Sequence, residues 1–371
     1  MQRSALVRWR RYGIPLFSAL PLVLLLFPGC AASYVMKQGY YQGKLLMGRI
    51  DVSEALERPE VSEAAKERLR LVQEIRTFGE QKLKMSPTEN YTTINLEWNQ
   101  EIWNVSGCRE LAFVPHTWWF PVVGTVPYKG FFEKADAIKA EEALKGEGFE
   151  TALRRVGGYS TLGWFRDPIL PHMLEYSEGD LANLVLHELA HATLFIPGHV
   201  DFNESFASFV GREAALRFLE ARYGQSSDPS LEARALTRDE DRFNRFMHDL
   251  YLELDGIYTS QLSDAERRSR KAVALSKARE AYRQVPFESA RYRGKEMRAV
   301  NNADLLQFRR YSGAQHQFEA VLERFQGDMS RFFVTFKALE RGSDGPFIAL
   351  AKLSGTTAVV NVGEAVQEPP P

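Results

Sequence analysis

The sequence is poor in cysteine, in long apolar runs and in surplus positive charge, and each shortage closes off a class of protein. Only two cysteines, Cys30 and Cys108, occur in 371 residues, so no disulfide framework can carry a small loop-rich fold. Lys and Arg number 47 against 48 Asp and Glu, a net charge of −1, and no basic stripe is present; no nucleic-acid partner is expected. The apolar stretch from Ile14 to Phe27 contains Pro15 and Pro21 and is short for a membrane-spanning helix. No internal repeat points to a solenoid. A hydrophobic fraction of 44% with 26% charged residues is the composition of a globular protein able to bury a sizeable core.

The N-terminus, "MQRSALVRWRRYGIPLFSALPLVLLLFPGC", runs from four arginines through the apolar stretch to a small residue and a cysteine. That layout predicts a signal peptide over residues 1–29. Cys30 directly after Gly29 resembles the lipobox of bacterial lipoproteins, in which the cysteine becomes the lipidated first residue; the other reading is an uncleaved anchor. Removing residues 1–29 takes the net charge from −1 to −5. Cys108 is then the single remaining thiol and is expected to be buried and structural. Residues 356–371 have no helical period and end in three prolines, so they are expected to form a flexible tail.

Between these ends, residues 30–355 read as one α+β unit. Residues 34–85 are expected to be helical, with Asp51 and Ser62 as helix starts. Residues 86–170 are expected to be rich in strand, because "YTTINLEW", "ELAFVPHTWWFPVVGTVPYKGFF" and "FETALRRVGGYSTLGWF" combine β-branched and aromatic residues with Gly and Pro punctuation. "EKADAIKAEEALKGEG" is a helix between them. Residues 177–340 are expected to be helical, with Phe243, Phe246, Leu250, Leu254 and Ile257 on one stripe and a new start at Ser263.

The chemistry sits in "HELAHATLFIPGHVDFNESFASF", residues 187–209. Ser177 and Asp180 form a capping pattern that starts a helix, and Pro197 and Gly198 are positioned to stop it. Its leucines and valine surround the axis, so the helix should be buried on most sides. Burying two imidazoles and a carboxylate without partners costs several kcal/mol. Metal ligation relieves that cost: His187 and His191 are one turn apart on one face, within reach of a single Zn²⁺, and Glu188 is turned toward the substrate side as a general base. For a third ligand, the metzincin position falls on Pro197, which excludes it. His199 lies in the Pro-Gly turn and Glu204 on a second helix, with Asp201 or Asn203 available as its cap. Glu204 is favoured, because Ser208, Gly211 and Ala215 follow it as small residues that let the two helices approach. Two histidines and a glutamate around one zinc per chain leave a coordination position open, as catalytic sites do.

These segments, together with "VPYKGFF", "GYSTLGWFRDP", "NNADLLQFRRY" and the lipoprotein-like start, resemble the bacterial putative aminopeptidase family, zinc lipoproteins of gluzincin type. The resemblance extends over most of the chain after Cys30. It implies a zincin-like fold: a small sheet, an HExxH active-site helix and a mainly helical C-terminal lobe. It further implies an aminopeptidase acting on free N-termini of peptides in the bacterial cell envelope, lipid-anchored at the periplasmic face of the outer membrane, with His187, His191 and Glu204 on the metal and Glu188 catalytic. Gluzincins usually place more residues between motif and third ligand than the twelve from His191 to Glu204, so the connection must be tight.

Other roles are less determined by sequence. Tyr311, then Tyr159, are the candidates for the donor that stabilises the tetrahedral oxyanion. Gly158, Tyr159, Ser160 and Thr161 are candidates for an edge strand that pairs with substrate backbone, the alternative being an ordinary turn. Asp167, Glu175 and Asp201 are equivalent candidates for binding a substrate α-ammonium. An endopeptidase, or a non-catalytic envelope lipoprotein that binds peptides at a peptidase-like zinc site, are the alternatives in function.

Overall fold

In the computed structural model, which describes residues 29–120, 124–158, 166–312, 314–341 and 345–356, the chain divides into two units, one ending at Met47 and one beginning at Gly48. In the first, helix α1 runs over Gly29–Met47. Among the described residues no helix is long and apolar enough to cross a membrane. The signal-peptide reading and the tail beyond Thr356 lie outside the described residues.

The second unit begins with strand β1 (Ile50–Asp51) and two helices whose starts follow local chemistry. Asp51 precedes α2 (Val52–Glu57), and the Ser62 hydroxyl accepts from the Ala65 amide to open α3 (Glu63–Thr77). A π-helical turn, Phe78–Lys82, then brings Gly79 against the HExxH helix. A Cβ on Gly79 would lie 2.8 Å from Leu186 Cδ2 and 3.0 Å from Met85 Sδ, so any larger residue would have to displace the ends of those side chains.

"YTTINLEW" yields only β2 (Thr93–Ile94), antiparallel to β1, where a longer strand was expected. The reason lies in the backbone partners. Tyr91 takes φ +60 and its amide goes to Asp167 O at 2.7 Å, while Ile169 N donates to Thr93 O and Asn95 N to Ile169 O. The segment thus pairs with single residues of a crossing chain and has no full strand beside it. A three-stranded antiparallel sheet has the order β6 (Lys129–Phe131), β3 (Trp103–Arg109), β7 (Phe149–Arg155), with Val105 opposite both Lys129 and Leu153. Strands β4 (Trp118–Phe120) and β5 (Gly124–Val126) pair separately, and α4 (Lys134–Gly146) joins β6 to β7.

From Ser177 onward helices dominate: α5 (Glu178–Thr193), α6 (Val200–Tyr223), α7 (Asp228–Tyr258), α8 (Asp264–Tyr282), α9 (Asn302–Ser312), α10 (Gln315–Arg324), α11 (Met329–Lys337) and α12 (Pro346–Ser354). Ser263 and Glu266 form the reciprocal capping box that opens α8. Residues 283–301 depart from the helical expectation: they cross in turns, tied down by Asp239 of α7.

One side of α6 is anchored in a phenylalanine core. Phe202 and Phe206 are fully buried against Phe318, Phe332, Phe336 and Phe347, with ring centroids 4.5 to 6.5 Å apart. Each buried phenyl contributes roughly 1.5–3 kcal/mol. That anchorage fixes the rotation of α6 about its axis, and so the direction in which Glu204 points. A second core joins sheet and helices, where Phe113 meets Tyr251 at 4.1 Å and Tyr258 at 5.3 Å with Cys108 fully buried nearby.

Candidate metal centre

Helix α5 starts where the side chain of Ser177 accepts from Asp180 N, and it ends at Thr193, four residues before the proline expected to stop it. The C-terminal turn is closed by Thr193, whose hydroxyl donates to Leu189 O and accepts from Ser86 N. Six residues, 194–199, then reverse the chain into α6. Neither Asp201 nor Asn203 caps α6. Both lie inside it, because the helix begins at Val200 with His199 in the cap position. Asn203 instead reaches back: its side-chain oxygen accepts from Ile196 N at 2.9 Å and its amide donates to Ile196 O at 2.8 Å. One buried side chain thereby satisfies both backbone groups of a reversal residue, which is how so short a connection is held.

The two helices meet without side-chain space at Gly211. A Cβ there would fall 2.9 Å from His187 Cβ and 3.0 Å from the Asn183 carbonyl oxygen. This contact brings His187, His191 and Glu204 together. Their Nε2 atoms stand 3.2 Å apart, and Glu204 Oε2 lies 3.6 Å from His187 Nε2 and 3.7 Å from His191 Nε2. Among the described residues this is the group of His, Cys, Asp or Glu that can hold a metal ion, its ligand atoms all within 4.8 Å of one another. His199 is not part of it.

The cluster is partly buried, with His191 almost fully enclosed and His187 and Glu204 retaining some exposure. Burial opposes ionisation of Glu204, yet the two imidazoles outweigh it and hold the carboxyl far below the usual range. Burial likewise works against a charged His191, and Glu204 followed by Glu188 reverse the balance and raise it. Within the HExxH segment two buried atoms have no hydrogen-bond partner: His191 Nδ1 and Glu188 Oε2. An unpartnered carboxylate oxygen beside three clustered donors is a polar group held ready for something else, since such groups are otherwise nearly always paired. Two imidazole nitrogens and a carboxylate oxygen fit a divalent ion of the zinc type.

Glu188 itself is buried, at 8% exposure, and faces the chain that leaves β7. There Gly158 packs so closely that a Cβ would meet Leu184 Cδ1 at 2.6 Å and Glu188 Oε1 at 3.5 Å. The Gly157 carbonyl is held by the Tyr176 hydroxyl at 3.1 Å and the His172 ring at 3.2 Å. Tyr159, Ser160 and Thr161 lie outside the described residues, as does the side chain of Cys30.

Tyr311 comes to the site from α9. The Ser205 hydroxyl donates to Arg310 O at 2.6 Å, and Gln315 Nε2 donates to Ser205 O and Tyr311 O, so the end of α9 is fastened to the start of α6. Desolvation raises the Tyr311 phenol well above its ordinary value, and Glu204, Tyr128 and Glu188 add to the rise. Asp201, a candidate amine-binding group, is already committed to the buried Arg310 at 2.8 Å. Glu175 is exposed and Asp167 is fully buried.

Sequence reading passed over Tyr128 and Arg310. The Arg310 guanidinium lies 5.6 Å from the Tyr128 ring centre, and desolvation together with Glu204 raises the Tyr128 phenol. Both residues stand in segments singled out by sequence, "VPYKGFF" and "NNADLLQFRRY", but their meeting joins distant parts of the chain and leaves no local signal.

Comparison with known proteins gives one result. The family model described as "Putative aminopeptidase" matches residues 33–345, and the chain belongs to that family. No curated protein and no solved structure matches it.

Proposed function

We propose, starting from membership of this family, that the protein is a zinc-dependent peptidase of zincin-like fold, and most specifically an aminopeptidase that acts on free peptide N-termini in the cell envelope. The observation that carries the reading is the Glu188 carboxylate, buried and with one oxygen unpaired, next to the His187, His191 and Glu204 cluster. A structural metal site has no use for such a group.

His187, His191 and Glu204 would hold one zinc, which when bound supplies Lewis acidity toward the scissile carbonyl. Glu188 takes the proton of the attacking water and returns it to the leaving amine nitrogen. Arg310 ties down Asp201, three residues before Glu204 in α6, and so helps fix the helix that aims the third ligand. Tyr311 is the side chain we assign to hydrogen-bond the developing oxyanion, with Tyr128 beside it in the same electrostatic environment. Gly158, without a side chain, lets the chain leaving β7 pass directly against Leu184 and Glu188. The N-terminal sequence supports lipid attachment at Cys30. In cells, Cys30→Ser should move the protein out of the membrane fraction, and unchanged lipid labelling of that variant would refute the anchor.

The deciding experiment measures zinc content and release of amino acids from a peptide with a free N-terminus and from its N-acetylated twin. Cleavage of the free peptide alone supports an aminopeptidase, and equal cleavage of both makes the protein an endopeptidase. Stoichiometric zinc without cleavage leaves a peptide receptor. Glu204→Gln should cut zinc occupancy sharply while His199→Ala preserves it; the opposite result would reassign the third ligand to His199.

A further inference from the structure

A separate chamber opens on the flank of α6 one turn beyond the third ligand. Ser208, four residues after Glu204, and Tyr311 stand at its near end, and the space continues for about 260 Å³ between α6, α7, α9 and β7. Its walls combine aromatic rings, Phe243, Tyr292 and Phe308, with three charged side chains: Arg154, Arg212 and Glu240.

Those charges are unequally committed. Arg154 Nη2 is paired to Asp304 at 2.6 Å, and its guanidinium lies 5.0 Å from the Phe308 ring centre. Arg212 Nη1 is paired to Asp241 at 2.9 Å. Glu240 has Arg212 as its nearest cation at 3.9 Å, beyond hydrogen-bond distance. Arg291, which also acts on Glu240, is itself paired to Asp180, so three guanidiniums meet four carboxylates here and Glu240 is the acid without a guanidinium within hydrogen-bond distance. Loss of water raises its pKa, against the pull of Arg212 and Arg291. Such a group gains most from a ligand that brings its own positive charge. An anionic ligand would find the guanidiniums already paired and the Glu240 carboxylate alongside.

The distance selects the kind of cation. Arg212, which marks the level of Glu240, is two turns past Glu204, about 12 Å along the helix axis. An α-ammonium adjacent to the scissile carbonyl sits too close to the metal ligands to reach so far. A lysine or arginine side chain does reach, and its stem would run between aromatic walls that favour cations.

We propose that this chamber is a specificity pocket for a lysine or arginine side chain flanking the scissile bond, with Glu240 as its charge partner. The proposal rests on the peptidase reading above. The zinc-loaded enzyme is therefore assayed on peptides that carry lysine, arginine, norleucine or glutamate on either side of one bond. We expect kcat/KM for lysine or arginine to exceed that for norleucine at least about 10-fold, and Glu240→Gln to bring the ratio toward one, with Glu240→Asp between. Hydrolysis without a basic preference, a preference for glutamate, or a ratio unmoved by Glu240→Gln overturns the proposal while leaving the peptidase reading intact. If no peptide is cleaved, the peptidase reading fails, and binding of N-acetyl-lysinamide then decides the chamber by calorimetry. Binding at least about 10-fold weaker in a Glu240→Gln variant with native circular dichroism upholds it. Equal affinity in the two proteins removes it.

Discussion

Asp239 and Glu188 are both buried carboxylates on long helices, and their surroundings are opposite. Asp239, fully buried, accepts from the Glu288 and Ser289 amides, the Ser289 hydroxyl and the Arg242 guanidinium at 2.6 to 3.0 Å. Glu188 keeps one oxygen without a partner beside the histidine cluster. The first arrangement spends all of a carboxylate's hydrogen-bonding capacity on holding residues 283–301 to α7. The second withholds it. Burial alone therefore does not identify a working acid or base; the unused lone pairs do.

Exchanging each residue for its uncharged counterpart should separate the two kinds of burial. The largest effect is expected at Glu188, where Glu188→Gln removes the proton acceptor and should lower peptide turnover by roughly 10²–10⁴. Because no hydrogen bond to Oε2 is lost, the melting temperature should stay level or rise, and zinc content should be retained. A variant that melts early but still turns over would reverse the assignment.

Asp239→Ala should do the contrary. It removes the acceptor of the Glu288 and Ser289 amides and the Ser289 hydroxyl, at a cost of roughly 1–3 kcal/mol in denaturant unfolding, without changing zinc per folded molecule. A smaller loss, within about 1 kcal/mol, would mean that residues 283–301 hold their course unaided.

Gly211→Ala tests how closely the site depends on backbone contact. The alanine gains up to about 1 kcal/mol in helix propensity, but its methyl meets His187 Cβ at 2.9 Å and the Asn183 carbonyl at 3.0 Å. Overpacking of roughly 1–3 kcal/mol should win, lowering both stability and zinc affinity because His187 must move. Unaltered zinc affinity would show that the helices can part without disturbing the ligands.

The smallest effect concerns pH. Burial opposes the charged form of Asp239, and its hydrogen bonds from Ser289, Glu288 and Arg242 overcome that and hold its carboxyl below the ordinary value. A depressed carboxylate contributes stability that is complete above its unfolded pKa, about 3.9, and that is lost as pH falls through the folded value. Asp239→Asn should accordingly show a shallower decline of stability below about pH 4 than the unaltered protein. An identical acid limb would assign that decline to other groups.

How much of this was open to sequence reading follows from how local each device is. The capping of α5 at Ser177 and of α8 at Ser263, the turn-spaced His187 and His191, and the small residue at Gly211 are short-range patterns with direct physical signatures. The placement of Glu204 was reached through the same reasoning. Boundaries failed where a backbone found partners far along the chain, as at residues 91–95, or where a polar residue was taken for a cap. Asn203 looks like a helix start in sequence, and only the folded link at Ile196 reveals its use. Arg310 with Tyr128, and Glu240 with the chamber it borders, are pairings across the fold for which no spacing rule exists. The same holds for Asp239, an unremarked acid in a helix dense with charge.

The six-residue reversal bound by Asn203 also bears on the order in which the molecule assembles. Closing so short a loop costs little chain entropy, and the α5–α6 hairpin is built from neighbours in sequence, whereas β3 must find β7 across α4 and a separate strand pair. We expect amides of the hairpin to gain protection in pulsed hydrogen exchange before those of the three-stranded sheet. The ligand set would then be aligned while its surrounding walls are still forming, and an ion met during refolding would act on the helical hairpin first.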